Sequence, residues 1–72
     1  MKGISKAELE HLRETYPKGT RVELICMDDE QAPPPGTLGT VLGVDDIGSL
    51  MMAWDNGSGL NVIWQVDTVR KL

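Results

Sequence analysis

The first apolar residues of the chain recur at helical spacing. The stripe consists of Leu9, Leu12 and Tyr16. Ser5 precedes this stripe, and Glu8 stands three residues after Ser5, which is the pattern of a capping box at a helix N-terminus. Pro17 and Gly19 end the helical pattern. The sequence therefore predicts an α-helix over residues 5–16.

Apolar and polar residues alternate over the first half of the next segment, residues 20–27. Val22, Leu24 and Cys26 fall on one side of it, so the pattern predicts a half-buried strand. Cys26 is expected to be a small buried residue rather than a nucleophile, because no second cysteine and no suitably placed histidine supports it.

Residues 37–60 show the pattern of two strands, each followed by a turn. Asp45-Asp46-Ile47-Gly48 and Asp55-Asn56-Gly57 are the turn-forming segments. In the second of these strands Leu50, Met52 and Trp54 share one face. Trp54 is the largest of the three, and it is therefore predicted to anchor the core.

Two more strands are predicted, over residues 60–64 and 68–72. The first of them is apolar on both faces, so it carries more apolar side chain than one face can hide. Two interpretations of Trp64 stay open. In the first, it completes the core or covers the apolar stripe of the helix. In the second, it lies exposed with Met51 and Ile63 as an interface between copies of the chain.

Length and composition narrow the class of protein. A chain of 72 residues forms one domain, residues 1–72, with a small core. One cysteine excludes a disulfide within the chain, and one cysteine with one histidine cannot supply the four nitrogen or sulfur ligands of a structural zinc site. No apolar run reaches the roughly 20 residues of a membrane span, and the N-terminus lacks a signal-peptide core. We expect a cytoplasmic protein without a metal ion or another cofactor.

Charge is unevenly distributed along the chain. The formal net charge is −4, and residues 22–69 contain eight acidic residues and no lysine or arginine. A protein that grips a nucleic-acid backbone normally carries a basic stripe on its surface. Generic binding of DNA or RNA is therefore disfavoured.

Five stretches of the chain resemble a family of small proteins. They are Pro17-Lys-Gly-Thr-Arg-Val-Glu-Leu, Met27-Asp-Asp, Pro35-Gly-Thr-Leu-Gly-Thr-Val-Leu-Gly-Val-Asp-Asp-Ile-Gly, Trp54-Asp-Asn-Gly-Ser and Asp67-Thr-Val-Arg-Lys-Leu. That family is classed as a domain of unknown function and is encoded by Gram-positive bacteria, their phages and mobile elements. The resemblance covers residues 16–72 and implies no activity. Its pattern is similar to a small SH3-like barrel, so the expected fold is mainly β, with five strands over residues 19–72 after the N-terminal helix.

An SH3-like barrel pairs its first and last strands antiparallel. This pairing would gather Lys18, Arg21, Arg70 and Lys71 at one end of the molecule, where they could bind a phosphate or carboxylate. With Trp64 they form the predicted ligand-binding set. The alternative interpretation, that these are ordinary solvated charges near the termini, stays open.

The sequence contains no nucleophile–base pair, no phosphate-binding glycine loop and no catalytic residue that can be named. The leading hypothesis is a non-enzymatic module, from a phage or mobile element, that binds a protein in the host cytoplasm and not a membrane. Its predicted binding surface consists of the loop 28–36, the turn 45–48 and Trp64. The alternative is a homo-oligomeric viral counter-defence protein that sequesters an anionic nucleotide signal through Arg21, Arg70 and Trp64.

Overall fold

The computed structural model describes residues 3–72, which contain one helix and four strands. The elements are α1 (Lys6–Thr15), β1 (Arg21–Cys26), β2 (Leu38–Val44), β3 (Leu50–Trp54) and β4 (Thr68–Lys71). The four strands form one antiparallel sheet in the order β3-β2-β1-β4. The predicted antiparallel pairing of the first and last strands is thus confirmed.

The start of α1 is fixed by the predicted capping box. The hydroxyl of Ser5 accepts a hydrogen bond from the backbone N–H of Glu8, and the Glu8 carboxylate accepts one from the backbone N–H of Ser5. These bonds satisfy donors that a helix N-terminus otherwise leaves unpaired. No residue of α1 is fully buried, but Leu12 packs against the core, as does Tyr16 just after the helix.

The core lies on one face of the sheet. Its buried residues are Val22, Leu24, Val41, Leu50, Met52, Trp54 and Val62. Trp54 is only 3 % exposed, which confirms it as a core residue, and its indole N–H donates to the carbonyl of Leu60 at 2.8 Å. The buried indole therefore has the polar partner that burial requires.

The prediction of a five-stranded SH3-like barrel is wrong, because the sheet is open and has four strands. Residues 60–64 form no strand and contribute one isolated bridge, between Val62 and Leu50. Beyond that bridge the chain turns back on itself, since the N–H groups of Val66 and Asp67 both donate to the carbonyl of Ile63. A backbone engaged in such a turn cannot continue a ladder and close a barrel.

Cys26 is exposed, and the prediction that it is buried is also wrong. Leu24 lies opposite Val69 and Cys26 lies opposite Thr68, so that Ile25 is an extra residue on β1. A bulge of this kind reverses the alternation of faces beyond it. Cys26 therefore lies on the face opposite the core, which we call the outer face of the sheet.

Candidate binding site around Trp64

The turn that carries Trp64 is built by one carboxylate. Asp67 accepts a hydrogen bond from the N–H of Ile63 at 2.8 Å and another from the N–H of Asp28, also at 2.8 Å. The second bond ties the turn to the end of β1, 39 residues earlier in the chain. Gln65 completes the turn with a φ of 64°, which is unusual for a residue other than glycine. Trp64 thus projects from a braced turn.

A second turn, between β2 and β3, approaches Trp64 from the other side. The Asp45 carboxylate accepts hydrogen bonds from the N–H groups of Ile47 at 3.2 Å and Ser49 at 2.8 Å. Gly48 has a φ of 88°, and a Cβ there would lie 2.8 Å from Cδ1 of Ile4 and 3.4 Å from Cβ of Trp64. Glycine is needed at this position both for the conformation and for the close approach of its neighbours.

The helix is tied to the same turn by Arg13. Its guanidinium donates to the carbonyl of Val44 at 3.2 Å and to the carboxylate of Asp46 at 2.9 Å. Both contacts are at the surface, so they contribute orientation more than stability. Together with Ile4, they place α1 next to Trp64.

Trp64 lies where three shallow clefts meet. The largest of the three has a volume of about 580 Å³. It is lined by Gly3, Ile4, Asp46, Ile47, Ile63, Trp64, Gln65 and Val66. We call it the Trp64 cleft. A second, of about 370 Å³, lies against one side of α1 and is lined by Ala7, Glu8, His11, Leu12 and Trp64. The third, of about 170 Å³, reaches toward the core at Leu50 and Val62.

Three of the residues that line the Trp64 cleft are exposed apolar side chains. Ile47 is 70 % exposed, Val66 is 52 % exposed and Ile63 is 44 % exposed, while Trp64 itself is half-buried. Within residues 3–72 the Trp64 indole N–H donates no hydrogen bond, in contrast to that of Trp54. The cleft therefore combines apolar walls with an available donor.

The predicted anion-binding arginines are both paired with carboxylates on the outer face of the sheet. Arg21 binds Asp55 through two hydrogen bonds of 2.8 and 2.6 Å and also contacts the hydroxyl of Thr40. The hydrogen bond from Arg21 lowers the pKa of Asp55 below its ordinary value, and the same bond raises the pKa of Arg21. Arg70 is paired with Glu23, whose Oε1 accepts hydrogen bonds from both Nε and Nη2 of the guanidinium.

The remaining predicted site residues are dispersed. Lys18 and Lys71 are exposed, and in the part of the chain that the structure describes neither forms a salt bridge. Met51 lies on β3 opposite Gly43, where a Cβ would come within 2.9 Å of its methyl carbon, and it does not line the Trp64 cleft. Of the predicted interface set, the structure brings together only Ile63 and Trp64.

Val66 and Asp67 were not predicted as site residues, and Ile47 was predicted only as part of the turn at residues 45–48. Ile47 and Val66 stand among turn residues and follow no periodic pattern. The role of Asp67 depends on its contact with Asp28, which is too distant in the chain for a local sequence pattern to predict. For Ile47 and Val66 the sequence does contain one signal, because a large apolar residue inside a turn has no core to pack against.

Among residues 3–72, no three potential metal-ligating side chains lie together, and the one helix is too short and too polar to cross a membrane. The model of one protein family, described as domain of unknown function DUF4314, matches residues 5–72. No curated protein and no solved structure shows significant similarity to the chain.

Proposed function

Since the chain belongs to the DUF4314 family, whose function is unknown, its role has to be inferred from its surfaces, and we propose that it is a non-catalytic module that binds another protein through the Trp64 cleft. The observation that carries the proposal is that three exposed apolar residues, Ile47, Ile63 and Val66, cluster around the half-buried Trp64. Exposed apolar groups gathered in this way are typical of protein interfaces.

The rigidity of the cleft favours binding. Its two walls are turns whose backbone N–H groups are held by the carboxylates of Asp45 and Asp67. A binding surface that is already ordered loses less conformational entropy when the partner arrives. The bulk of Trp64 and its available N–H suit a partner segment that supplies one apolar side chain and a carbonyl oxygen.

The nucleotide hypothesis has less support. It requires Arg21 and Arg70 to bind an anion, and both guanidinium groups already bind carboxylates. An anion would have to displace Asp55 or Glu23 at a cost in ion pairing. If the gene belongs to a phage or a mobile element, as the sequence resemblance implies, the partner would be a host protein.

The test uses affinity capture with matched variants, followed by measurement on the purified partner. Ile47→Asp places a charge in the cleft, and Leu72→Asp places one at another exposed apolar residue, 57 % exposed, outside the cleft. A true partner is retained by wild type and Leu72→Asp but not by Ile47→Asp. In titration of the purified partner, the Kd should rise about tenfold or more for Ile47→Asp, as expected for a central contact.

Equal affinity of the purified partner for wild type and Ile47→Asp would refute the proposal. A thermal-shift screen against linear and cyclic nucleotides covers the alternative. A nucleotide that raises the melting temperature of wild type but not of Arg21→Ala/Arg70→Ala would replace a protein partner as the proposed ligand.

A further inference from the structure

The outer face of the sheet carries four charged side chains whose signs alternate across the strands. Asp55 follows β3, Glu23 is on β1 and Arg70 is on β4. Arg21 is also on β1, but its guanidinium extends over β2, where it contacts Thr40 and Asp55. In the sheet order β3-β2-β1-β4 the charges therefore run negative, positive, negative, positive. We call these four side chains the charge row.

Exposed apolar side chains accompany the charge row on the same face. Leu38 lies opposite Glu23, and Met51 lies opposite Gly43 beyond the bulge in β2. Both are 37 % exposed. A sheet with apolar groups on its second face gains stability when that face is covered. Because each charge in the row is already paired within the chain, covering the face leaves no charge without a partner.

We propose that the outer face binds a second copy of this chain, face to face, about a two-fold axis that runs along the strands. A row that reads negative, positive, negative, positive becomes positive, negative, positive, negative when it is turned about such an axis. Asp55 then faces Arg70 of the other copy, and Arg21 faces Glu23. All four positions meet an opposite charge, so the row is complementary to itself.

The charge row also selects this axis over the alternative. A two-fold axis across the strands would set Asp55 against Asp55 and Arg70 against Arg70, which is repulsive at every position. With the axis along the strands the two sheets stack in the aligned manner of β-sandwiches, about 10 Å apart. The symmetric pairing of one patch with itself is also the commonest arrangement in homodimers.

The dimer is expected to be weak. A face of four strands is about 19 Å wide and about 20 Å long, so a flat face of this size covers roughly 400 Å² per copy. This is below the 800 Å² per partner that is typical of stable complexes. Association should therefore depend on concentration and weaken as salt screens the charge row. The proposal uses a different surface from the Trp64 cleft and does not depend on it.

The decisive test exchanges the two partners of each ion pair. Arg21→Asp/Asp55→Arg keeps the intrachain pair, the composition and the net charge, but the row becomes positive, negative, negative, positive. Glu23→Arg/Arg70→Glu gives the converse order. Each row faces like charges at all four positions in its own dimer, whereas the two variants complement each other. The variant with all four substitutions restores alternation.

Sedimentation equilibrium at concentrations up to about 1 mM, high enough to populate a weak dimer, measures the outcome. We expect wild type and the fourfold variant to dimerise, each double variant to dimerise at least about tenfold more weakly, and an equimolar mixture of the two to form a heterodimer. The control Lys6→Glu/Glu10→Lys exchanges charges on α1 and should leave the dimer unchanged.

Three results would overturn the proposal: a wild type that is monomeric throughout this range, double variants that associate as tightly as wild type, or a folded fourfold variant that stays monomeric. Circular dichroism checks folding. If a double variant does not fold, Leu38→Glu supplies the test instead, because it puts one carboxylate at an exposed position in the middle of the same face. Unchanged association of Leu38→Glu would equally reject this face as the interface.

Discussion

The two tryptophans of this chain lie ten residues apart and are used in opposite ways. Trp54 ends β3, is 3 % exposed and donates its indole N–H to the carbonyl of Leu60. Trp64 lies in a turn, is half-buried, lines three clefts and makes no indole hydrogen bond within residues 3–72. The indole N–H of Trp54 is therefore paired within the chain, whereas Trp64 lies on the surface that we propose binds a partner.

The difference comes from the backbone around each ring. Trp54 lies opposite Gly39, and a Cβ at that glycine would be 2.5 Å from the indole ring, so the strand pairing itself makes room for the ring. Trp64 has no strand around it, because the bonds of Ile63 and Asp67 turn the chain away from the sheet. A tryptophan within the strand ladder is therefore buried in the core, whereas a tryptophan outside the ladder stays half-buried at the surface.

Trp54→Ala tests the core half of this comparison and should have the largest effect. Removing a buried tryptophan costs about 3–5 kcal/mol, which is much of the stability of a small domain. We expect urea denaturation to show a largely unfolded protein at 25 °C. Trp54→Phe should lose less, since it keeps most of the ring volume. A folded and stable Trp54→Ala would contradict the role of Trp54 as core anchor.

Gly39→Ala asks whether the space for Trp54 is provided by the glycine. The added methyl would overlap the indole ring, and overpacking of this kind costs about 1–3 kcal/mol. Gly59→Ala is the matched control, because a Cβ there meets nothing within 4 Å and the φ is not positive. The free energy of unfolding should fall for the first variant and change little for the second. Equal values would mean that the ring moves aside without cost.

Trp64→Ala should cost less than either change, about 1 kcal/mol, because a half-buried ring loses only part of the free energy of full burial. Urea denaturation of this variant gives the number directly. The single-tryptophan variants add a second measurement. Trp64 alone, in Trp54→Phe, should emit at longer wavelength and be quenched by acrylamide more strongly than Trp54 alone, in Trp64→Phe. A loss as large as that of Trp54→Ala would make Trp64 a core residue.

The parts of the fold that the sequence predicted correctly are those set by short-range signals. The cap of α1 depends on Ser5 and Glu8, three residues apart. The turn from Asp45 to Gly48 sets the hairpin of β2 and β3 in the same local way. Trp54 follows from alternation within one strand.

The errors arose where a distant contact decides. Cys26 is exposed because of its register against Thr68, and the apolar run Leu24-Ile25-Cys26 does not show which of its residues is the extra one. The sheet does not close into a barrel, because the Asp67 carboxylate accepts hydrogen bonds from the N–H groups of Ile63 and Asp28 and so fixes the turn after Val62. The two arginines were predicted as a basic cluster, and their pairing with Asp55 and Glu23 joins residues that are 34 and 47 positions apart. Only the folded chain reveals such partners.

The smallest predicted effect is a pH dependence of the structure around the tryptophans. On acidification, the surroundings of Trp64 should change at a higher pH than those of Trp54. The backbone N–H of Ser5 donates to the Glu8 carboxylate, and this bond, with a smaller contribution from the Ser5 side chain, lowers the pKa of Glu8. A carboxyl whose pKa is lower in the folded state stabilises fully above its unfolded pKa, near 4.3. That contribution is lost as the pH falls through the folded value.

Below about pH 4 the start of α1 should therefore loosen, and with it Ile4, which lies against Gly48 beside Trp64. In acid titrations we expect the fluorescence of Trp64, measured in Trp54→Phe, to change at a higher pH than that of Trp54, measured in Trp64→Phe. Glu8→Gln removes the titrating group and should reduce this separation. Asp55→Asn is the control, because the pKa of Asp55 is lowered by Arg21 on the far side of the sheet, so this change should leave the separation in place. Coincident transitions in both single-tryptophan proteins would show that the cap and the Trp64 cleft are not coupled, and that the two tryptophans report one cooperative unit.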